Sequence, residues 1–208
     1  MRVEYFELRT DSTGPAIGTA RLLRSDSAAG SELEWQIRFA GDGFEAWQVE
    51  SRSASGRRCL WRERAERRSR TLVAEEVGGS LELTEWGMPS VFREVVPSEG
   101  PIFFPLELSE RLRTATLEAK QIALFDPLSN SVIPVTVQDG GREQDTGSGL
   151  RQVDLARADG TLAGSWTFLG KELVSFRWQR GGLTAVRVQQ PDVVVPAEFA
   201  APATPSER

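Results

Sequence analysis

The side chains that most often perform acid–base and nucleophilic chemistry are scarce in this sequence. It contains no histidine, the commonest general base and the commonest metal ligand in proteins. Ser148 lies between two glycines, and the chain offers no histidine that could activate its hydroxyl. Cys59 is the only cysteine, so neither an intramolecular disulfide nor a cysteine-rich zinc site can form. We therefore predict no catalytic residue, no metal site and no cofactor.

The single thiol has two interpretations. Cys59 follows two arginines, whose charges could lower the pKa of the thiol and make it reactive. It shares strand parity with Trp61, however, which places both side chains on one face of a predicted strand. We favour the interpretation that Cys59 is a small, buried core residue.

The clearest charge feature is a run of arginines at residues 52–70. It contains eight arginines against two glutamates, whereas the whole chain has a net charge of −5. Such asymmetry can steer an anionic partner to one surface. We favour a solvated outer face without a partner, and the alternative is that an acidic protein, rather than nucleic acid, binds this arginine-rich face. The residues predicted to form the face are Arg58, Arg62, Arg64 and Arg67.

Alternation of apolar and polar residues dominates the sequence and predicts mostly β-structure. The clearest case is the segment 33–39, in which leucine, tryptophan, isoleucine and phenylalanine alternate with polar residues. Short turn signals separate the segments, so we expect antiparallel hairpins rather than parallel strands joined by helices. Pro134 lies inside one segment and predicts an edge strand or a bulge there. The predicted strands cover residues 17–23, 33–39, 44–49, 58–64, 71–77, 81–86, 117–125, 132–138, 150–157, 161–169, 172–179 and 183–189.

One mid-chain segment departs from this alternation. Over residues 105–113, Pro105 suits the first position of a helix, and Leu108 and Leu112 have helical spacing. We predict a short helix here, preceded by an apolar loop at 102–104. A curved sheet can use such a helix to cover its open face.

The length of 208 residues, with 39% hydrophobic and 26% charged residues, fits one domain with a substantial core. We predict a single antiparallel β domain over residues 1–190 and a proline-rich C-terminal tail over residues 191–208. No apolar signal-peptide region follows Met1, and no run approaches the ~18 apolar residues of a transmembrane helix. We expect a protein that is cytoplasmic as written, or periplasmic if its N-terminus has been processed.

The six tryptophans all fall in predicted strands. A half-closed sheet lined by tryptophan and leucine could enclose an apolar ligand, and ordinary core packing is the alternative. The triplet 164–166 matches the G-x-W sequence of lipocalins, where it belongs to the first strand. The residues predicted to line an apolar ligand site are Trp35, Trp47, Trp61, Trp166, Phe103 and Phe104.

The layout of many antiparallel strands, a helix and further strands resembles the unclosed β-barrel of bacterial lipoprotein carriers of the LolA/LolB type. It also resembles uncharacterised bacterial envelope domains, whose start is similar to Ile17-Gly18 and whose closing pattern is similar to residues 191–199. The resemblance implies an apolar cavity beneath the sheet that the helix plugs. A violacein-pathway enzyme has a similar fold, so the architecture alone does not exclude a cofactor-free enzyme.

We therefore predict a mostly β protein, a highly curved antiparallel sheet or half-barrel with one or two short helices. Its predicted function is that of a non-catalytic binding or carrier module for an apolar or lipid-like ligand. The alternative is an interaction module that binds an acidic partner through the arginine-rich face. An enzyme is the least favoured interpretation, because no residue set supports one.

Overall fold

The computed structural model describes residues 1–11, 13–40, 44–65, 68–87, 91–96, 101–114, 117, 120–142, 149–178 and 182–189. The predicted tail and Arg67 lie outside these residues. Within the described ranges, no helix combines the length and the apolar character needed to cross a membrane.

Fifteen strands and one α-helix are present in the described part of the chain, and all the strands belong to one sheet. Their order across the sheet is β8-β7-β6-β5-β4-β3-β2-β1-β15-β14-β13-β12-β11-β10-β9. The elements are β1 (Arg2–Arg9), β2 (Gly18–Ser27), β3 (Gly30–Phe39), β4 (Glu45–Ser53), β5 (Gly56–Ala65), β6 (Arg68–Val77), β7 (Ser80–Gly87), β8 (Val91–Val96), β9 (Ile102–Phe103), α1 (Pro105–Thr114), β10 (Gln121–Asp126), β11 (Ser131–Arg142), β12 (Leu150–Ala156), β13 (Leu162–Leu169), β14 (Glu172–Trp178) and β15 (Leu183–Val188).

The chain forms two meanders, which meet where the first strand of the chain pairs with the last. Strands β1 to β8 proceed outward one after another, and β9 to β15 return until β15 pairs with β1. The links are short hairpins, as the turn signals predicted. Between β6 and β7, Gly78 and Gly79 have φ values of 59° and 84°, a conformation that side chains with a Cβ adopt poorly and that suits a two-residue hairpin.

The inner face of the sheet is the face that carries Trp35 and two apolar clusters. The first cluster joins inward side chains of β1–β3 and β12–β15, and the second joins those of β4–β7. Strand β10 belongs to both, because Leu124 packs in the first cluster and its neighbour Phe125 in the second. Since adjacent residues of a strand point to opposite faces, the sheet must roll until β10 lies inside its other half.

The rolled sheet does not close into a complete barrel. The end strands β8 and β9 are hydrogen-bonded to β7 and β10 respectively and, within the described residues, not to each other. The predicted class, a highly curved antiparallel half-barrel with one short helix, is confirmed.

Helix α1 fills part of the space inside the roll. Leu108 and Leu112 are buried and pack in the first cluster, as their helical spacing predicted. Arg151 on β12 donates from Nη1 to the carbonyl oxygen of Leu112 at 2.7 Å, near the helix end that favours a cation. Arg113 donates from Nε to the carbonyl oxygen of Lys171 at 2.8 Å. Two guanidinium groups thus fix the C-terminal turn of α1 to the sheet.

Several elements differ from the prediction. Residues 102–104 were predicted as a loop, but Ile102 and Phe103 form β9 and pair with β10 in parallel. A strand of two residues is too short for alternation to show. Strands β1 and β8 are not among the predicted strands, and β10 begins at Gln121 rather than at residue 117.

Pro134 lies in a strand that is paired on both sides over part of its length. Strand β11 lies between β10 and β12, so the prediction of an edge strand is wrong for the strand as a whole. The register pairs Pro134 with Ala123 of β10, whereas β12 pairs with β11 only from Thr136 onward. At the proline itself β11 has one paired neighbour, which is the situation in which a strand tolerates proline.

Burial of β10 on both sides can be tested with two alanine substitutions. Leu124 and Phe125 are both 0% exposed, so Leu124→Ala and Phe125→Ala should each lower the free energy of unfolding by about 2–5 kcal/mol. Leu169→Ala is the control, because Leu169 is 48% exposed, and its effect should stay within about 0.5 kcal/mol. Urea denaturation measures all three. A small effect of either β10 substitution would contradict the rolled arrangement.

Candidate functional site

The inner face of the sheet and α1 together border an apolar cavity of about 390 Å³. This volume lies within the ~300–1,000 Å³ typical of small-molecule sites. Strands from both halves of the sheet contribute, from β1–β5 on one side and from β13–β15 on the other. Pro105, Leu106 and Ser109 of α1 also line it.

Aromatic rings dominate the cavity wall. Trp35 packs between Phe6 and Phe176, with ring centroids 5.2 Å apart in both pairs. Trp166 and Trp178 meet edge to face, at 6.1 Å and an interplanar angle of 89°. Such contacts hold the rings in defined orientations, so this wall has a fixed shape before any ligand binds.

Gly164 is required by the position of the Trp166 ring. A Cβ atom on Gly164 would lie 2.8 Å from two carbons of the indole, which is closer than packed atoms allow. The G-x-W triplet therefore has a local cause here: residues two apart share a face, and the missing side chain makes room for the ring. The ring in turn lines the cavity.

Three of the six predicted lining residues border the cavity, namely Trp35, Trp61 and Trp166. Trp47 does not, because it lies on the outer face, opposite to Gln48. Its Nε1 donates to Glu34 at 2.7 Å, and the guanidinium of Arg62 lies 5.8 Å from its ring centroid. The prediction placed Trp47 on the wrong face of β4.

The two predicted phenylalanines support the helix rather than the cavity. Phe103 is buried beside Arg111, whose guanidinium lies 5.2 Å from its ring centroid. Phe104 packs against Phe125 at 5.8 Å in the second cluster. Neither side chain is part of the cavity lining.

Several lining residues were not predicted. Some carried a signal: Phe176 and Trp178 share parity in a predicted strand, and Phe39 and Phe44 flank a predicted turn. The helix residues carried no such signal, because a helical pattern in the sequence does not say which face of the helix borders a cavity. Those additional lining residues include Phe39, Phe44, Phe176, Trp178, Leu106 and Ser109.

Among the described residues that line the cavity, Gln48, Ser109 and Asp126 are polar, and none is an arginine or a lysine. The Asp126 carboxylate accepts hydrogen bonds from the backbone N–H of Leu128 at 3.0 Å and the hydroxyl of Ser129 at 2.6 Å. The remaining wall is apolar, so the cavity can hold a molecule that presents little charge.

Glu50 fixes the N-terminal end of α1. Its carboxylate accepts hydrogen bonds from the backbone N–H groups of Leu106 at 2.8 Å and Glu107 at 2.6 Å, and Gln48 donates to it at 2.5 Å. Burial away from water nevertheless raises the pKa of Glu50 to about 8. Both ends of the helix are therefore held by polar side chains of the sheet.

Cys59 lies beside this cap. It is buried, as predicted, and the Nε2 atom of Gln48 is 3.8 Å from its sulfur. Burial, with a smaller contribution from the charge of Glu50, raises the pKa of the thiol well above its usual value. The interpretation of Cys59 as an unactivated core residue is confirmed.

The arginines of the run at 52–70 point to both faces of the sheet. Arg58, Arg62 and Arg64 share the outer face, and Arg58 lies 3.2 Å from the carboxylate of Glu75. Arg57 points inward and binds Glu76 at 2.7 Å and Glu107 of α1 at 2.8 Å. The run therefore does not form a single surface.

Charged groups instead gather in a cleft of about 440 Å³ on the other side of α1. Arginines and acidic residues line it together, and several are paired: Arg24 with Glu110 at 2.6 Å, and Arg111 with Glu107 at 3.0 Å. The described residues that line the cleft differ from those that line the cavity, because α1 lies between the two.

Comparison with known proteins shows a shared fold. No family model and no curated protein matches the sequence. The chain is similar to the crystal structure of a β-barrel-like protein of the domain of unknown function DUF1849 from Brucella abortus, with a TM-score of 0.58 and 14% identity over 89% of this chain and 94% of that one. At this identity the likeness establishes an unclosed β-barrel-like fold. It does not extend to the LolA/LolB carriers, whose resemblance stays an interpretation of the sequence.

The raised pKa of Glu50 predicts a pH dependence of stability. Between the ordinary value of 4.5 and about 8, the folded state holds a proton that the unfolded chain has lost. The free energy of unfolding should therefore fall as pH rises across this range, by at most ~1.4 kcal/mol per pH unit. Glu50→Gln cannot ionise, so its stability should fall less steeply.

Urea denaturation of both proteins between pH 5 and pH 8.5 measures these slopes. Glu82→Gln is the control, because Glu82 is an exposed glutamate of β7 and its removal should leave the wild-type slope in place. Identical slopes for wild type and Glu50→Gln would contradict the assignment.

Proposed function

We propose that this protein is a non-catalytic binding or carrier module for an apolar or lipid-like molecule, which it holds in the cavity between the sheet and α1. The cavity itself carries the proposal. Unfilled apolar space costs stability, because the surrounding side chains lose dispersion contacts. A ligand that fills it would restore those contacts and remove its own apolar surface from water.

The volume limits the size of the ligand. At ~30 Å³ per group the size of a water molecule, 390 Å³ has room for ~13 such groups. That suits a single medium-length chain or a small ring system. The part of a ligand that the cavity encloses is therefore smaller than a complete phospholipid with two long chains.

Helix α1 gives the ligand a route in and out. Pro105, Leu106 and Ser109 form one wall of the cavity, while Glu50 and Arg151 hold the two helix ends. These bonds come from side chains, so α1 can move without breaking a hydrogen bond of the sheet.

The alternative, an interaction module for an acidic partner, has less support. Arg58 has an acidic neighbour in Glu75, and Arg62 lies against Trp47. The carboxylate of Glu75 lowers the net positive charge that would steer a partner, and the ring of Trp47 covers one face of the Arg62 guanidinium. We therefore propose no second function.

Native mass spectrometry of the gently purified protein is the direct experiment. If the proposal is correct, a stoichiometric adduct of low mass should leave on denaturation and partition into organic solvent. If only the bare protein mass is found, titration with the neutral apolar dye N-phenyl-1-naphthylamine tests whether the cavity binds an apolar molecule. Absence of both an adduct and saturable dye binding would refute the proposal.

Filling the cavity should abolish binding without harming the fold. Ala185 lines the cavity and is paired across neighbouring strands with Phe176. Ala185→Leu therefore places a larger side chain in the cavity. Affinity for N-phenyl-1-naphthylamine should fall at least ~10-fold, and the melting temperature should hold or rise. Val186→Leu is the matched control, because the side chain of Val186, the next residue of β15, lies on the outer face of the sheet. Equal dye affinity in the two variants would count against a ligand at this cavity.

A further inference from the structure

Two arginines of β5 lie on the outer face of the sheet and differ from their neighbours in charge pairing. Arg62 and Arg64 are two residues apart, on the face opposite to Trp61, which lines the cavity. In the same strand, Arg57 lies 2.7 Å and Arg58 lies 3.2 Å from a glutamate carboxylate. Among the described residues, no carboxylate lies within 4.0 Å of the guanidinium of Arg62 or Arg64.

Arg62 is held in position without being neutralised. Its guanidinium lies 5.8 Å from the ring centroid of Trp47, whose Nε1 donates to Glu34 at 2.7 Å. Partial burial lowers the pKa of Arg62 from its usual value, because the charge has lost part of its hydration. Stacking occupies one face of the guanidinium and leaves the N–H groups at its edge, which are the groups that bind phosphate.

Strands β6 and β7 extend this surface. Thr71 is paired with Arg62, and Ser69 is paired with Arg64, so two hydroxyl groups adjoin the two guanidinium groups. Trp86 of β7 is paired with Thr71 and is 39% exposed. We refer to these five residues, Arg62, Arg64, Ser69, Thr71 and Trp86, as the basic patch.

The charge of the basic patch does not depend on the side chains that are not described. Residues 66–68 and 88–93, which link and begin the neighbouring strands, contain one glutamate and three arginines, so their sum is positive. On the described outer face, Glu45 is paired across the sheet with Arg64, but its carboxylate lies 3.7 Å from Arg38. A positive patch on a chain of net charge −5 attracts an anionic surface.

The basic patch lies at the end of the roll where the cavity wall reaches the surface. Asn130, in the turn between β10 and β11, donates to Glu85 and accepts from Arg70. Glu85 precedes Trp86 in β7, and Leu128 precedes Asn130 by two residues. Leu128 lines the cavity and is 36% exposed. A surface that docks on the patch therefore comes near an exposed part of the cavity wall.

We infer that the basic patch docks the protein on an anionic lipid surface, with Arg62 and Arg64 at the lipid phosphates and the indole of Trp86 among the headgroups. Arginine is attracted to anionic lipids, and tryptophan favours the boundary between water and lipid. The patch lies on the convex outside of the roll, which can meet a broad surface. A single strand of nucleic acid would need several free aromatic faces for its bases, and Arg62 occupies the face of Trp47.

Vesicle binding tests the inference directly. The protein should sediment with vesicles of phosphatidylcholine mixed with phosphatidylglycerol, and it should bind vesicles of phosphatidylcholine alone at least about tenfold more weakly. Sodium chloride should weaken binding to the mixed vesicles, because salt screens exposed charges. Equal binding to both kinds of vesicle, or to neither, would overturn the inference.

The double variant Arg62→Gln/Arg64→Gln isolates the two guanidinium groups. Each arginine near an anionic surface contributes about fivefold to binding, so this variant should bind the mixed vesicles about 25-fold more weakly. Lys171→Gln/Arg177→Gln is the matched control, because it removes the same charge from exposed residues of the β13–β14 hairpin. An equal loss in both double variants would show a general effect of net charge and overturn the inference.

Trp86→Ala tests whether the indole contacts lipid. Binding to the mixed vesicles should weaken several-fold, and phosphatidylglycerol with brominated chains should quench less of the tryptophan fluorescence than in wild type. Leu169→Ala is the control, because it removes an exposed apolar side chain outside the patch and should change neither result. Undiminished quenching in Trp86→Ala would contradict contact of this indole with lipid.

Two other partners predict different results. If glycerol 3-phosphate, at the concentration of the lipid phosphate, displaces the protein from the mixed vesicles, the patch binds a soluble phosphate. If the protein binds poly-L-glutamate in a salt-sensitive manner but binds no vesicle, the patch binds an acidic protein. Either result would overturn the inference.

Failure of this inference can be told apart from failure of the proposed function. The patch lies outside the cavity, so Arg62→Gln/Arg64→Gln should bind N-phenyl-1-naphthylamine as wild type does and melt at the same temperature. If the dye binds wild type but the mixed vesicles do not, the inference fails and the proposed function survives. If the vesicles bind and the dye does not, the proposed function fails and the inference survives.

Discussion

Burial of one face of a very long sheet is the constraint on which the structure depends. Twist accumulates across neighbouring strands, so a sheet of fifteen strands cannot stay flat and must curl. Curling brings β10 inside the half formed by β4–β7 and buries Leu124 and Phe125 on opposite sides of one strand. Among the described residues the two end strands do not pair, and α1 packs inside the roll, next to β3 and β10.

Helix α1 packs in the interior of the roll without filling it. Leu108 and Leu112 pack into the core, while Ser109 borders space that remains empty. Small side chains persist where larger ones would fit, as at Ala185. A protein selected only for stability would fill such a site, because cavity-filling substitutions are among the simplest stabilising changes.

The sequence predicted the strands and the helix far better than it predicted the site. Alternation places side chains on two faces but does not say which face turns inward. At β4 it misleads, because Trp47 lies outside, whereas Gln48 and Glu50 lie inside, where Glu50 caps α1 and Gln48 donates to Glu50. That polar inner stretch has a partner because the N-terminus of a helix from elsewhere in the chain lies there. Long-range contacts of this kind leave no local pattern in the sequence.

The same alternation explains why a run of charge in the sequence is not a charged surface. Arg57 and Arg58 are adjacent, yet one reaches Glu107 inside the roll and the other reaches Glu75 outside. Each strand thus divides its arginines between two environments, and both have acidic neighbours. The inward Arg52 and Arg57 join the charges beside α1, in a cleft whose described lining residues differ from those of the apolar cavity. Helix α1 thus separates a region of ion pairs from a mostly apolar space within one small interior.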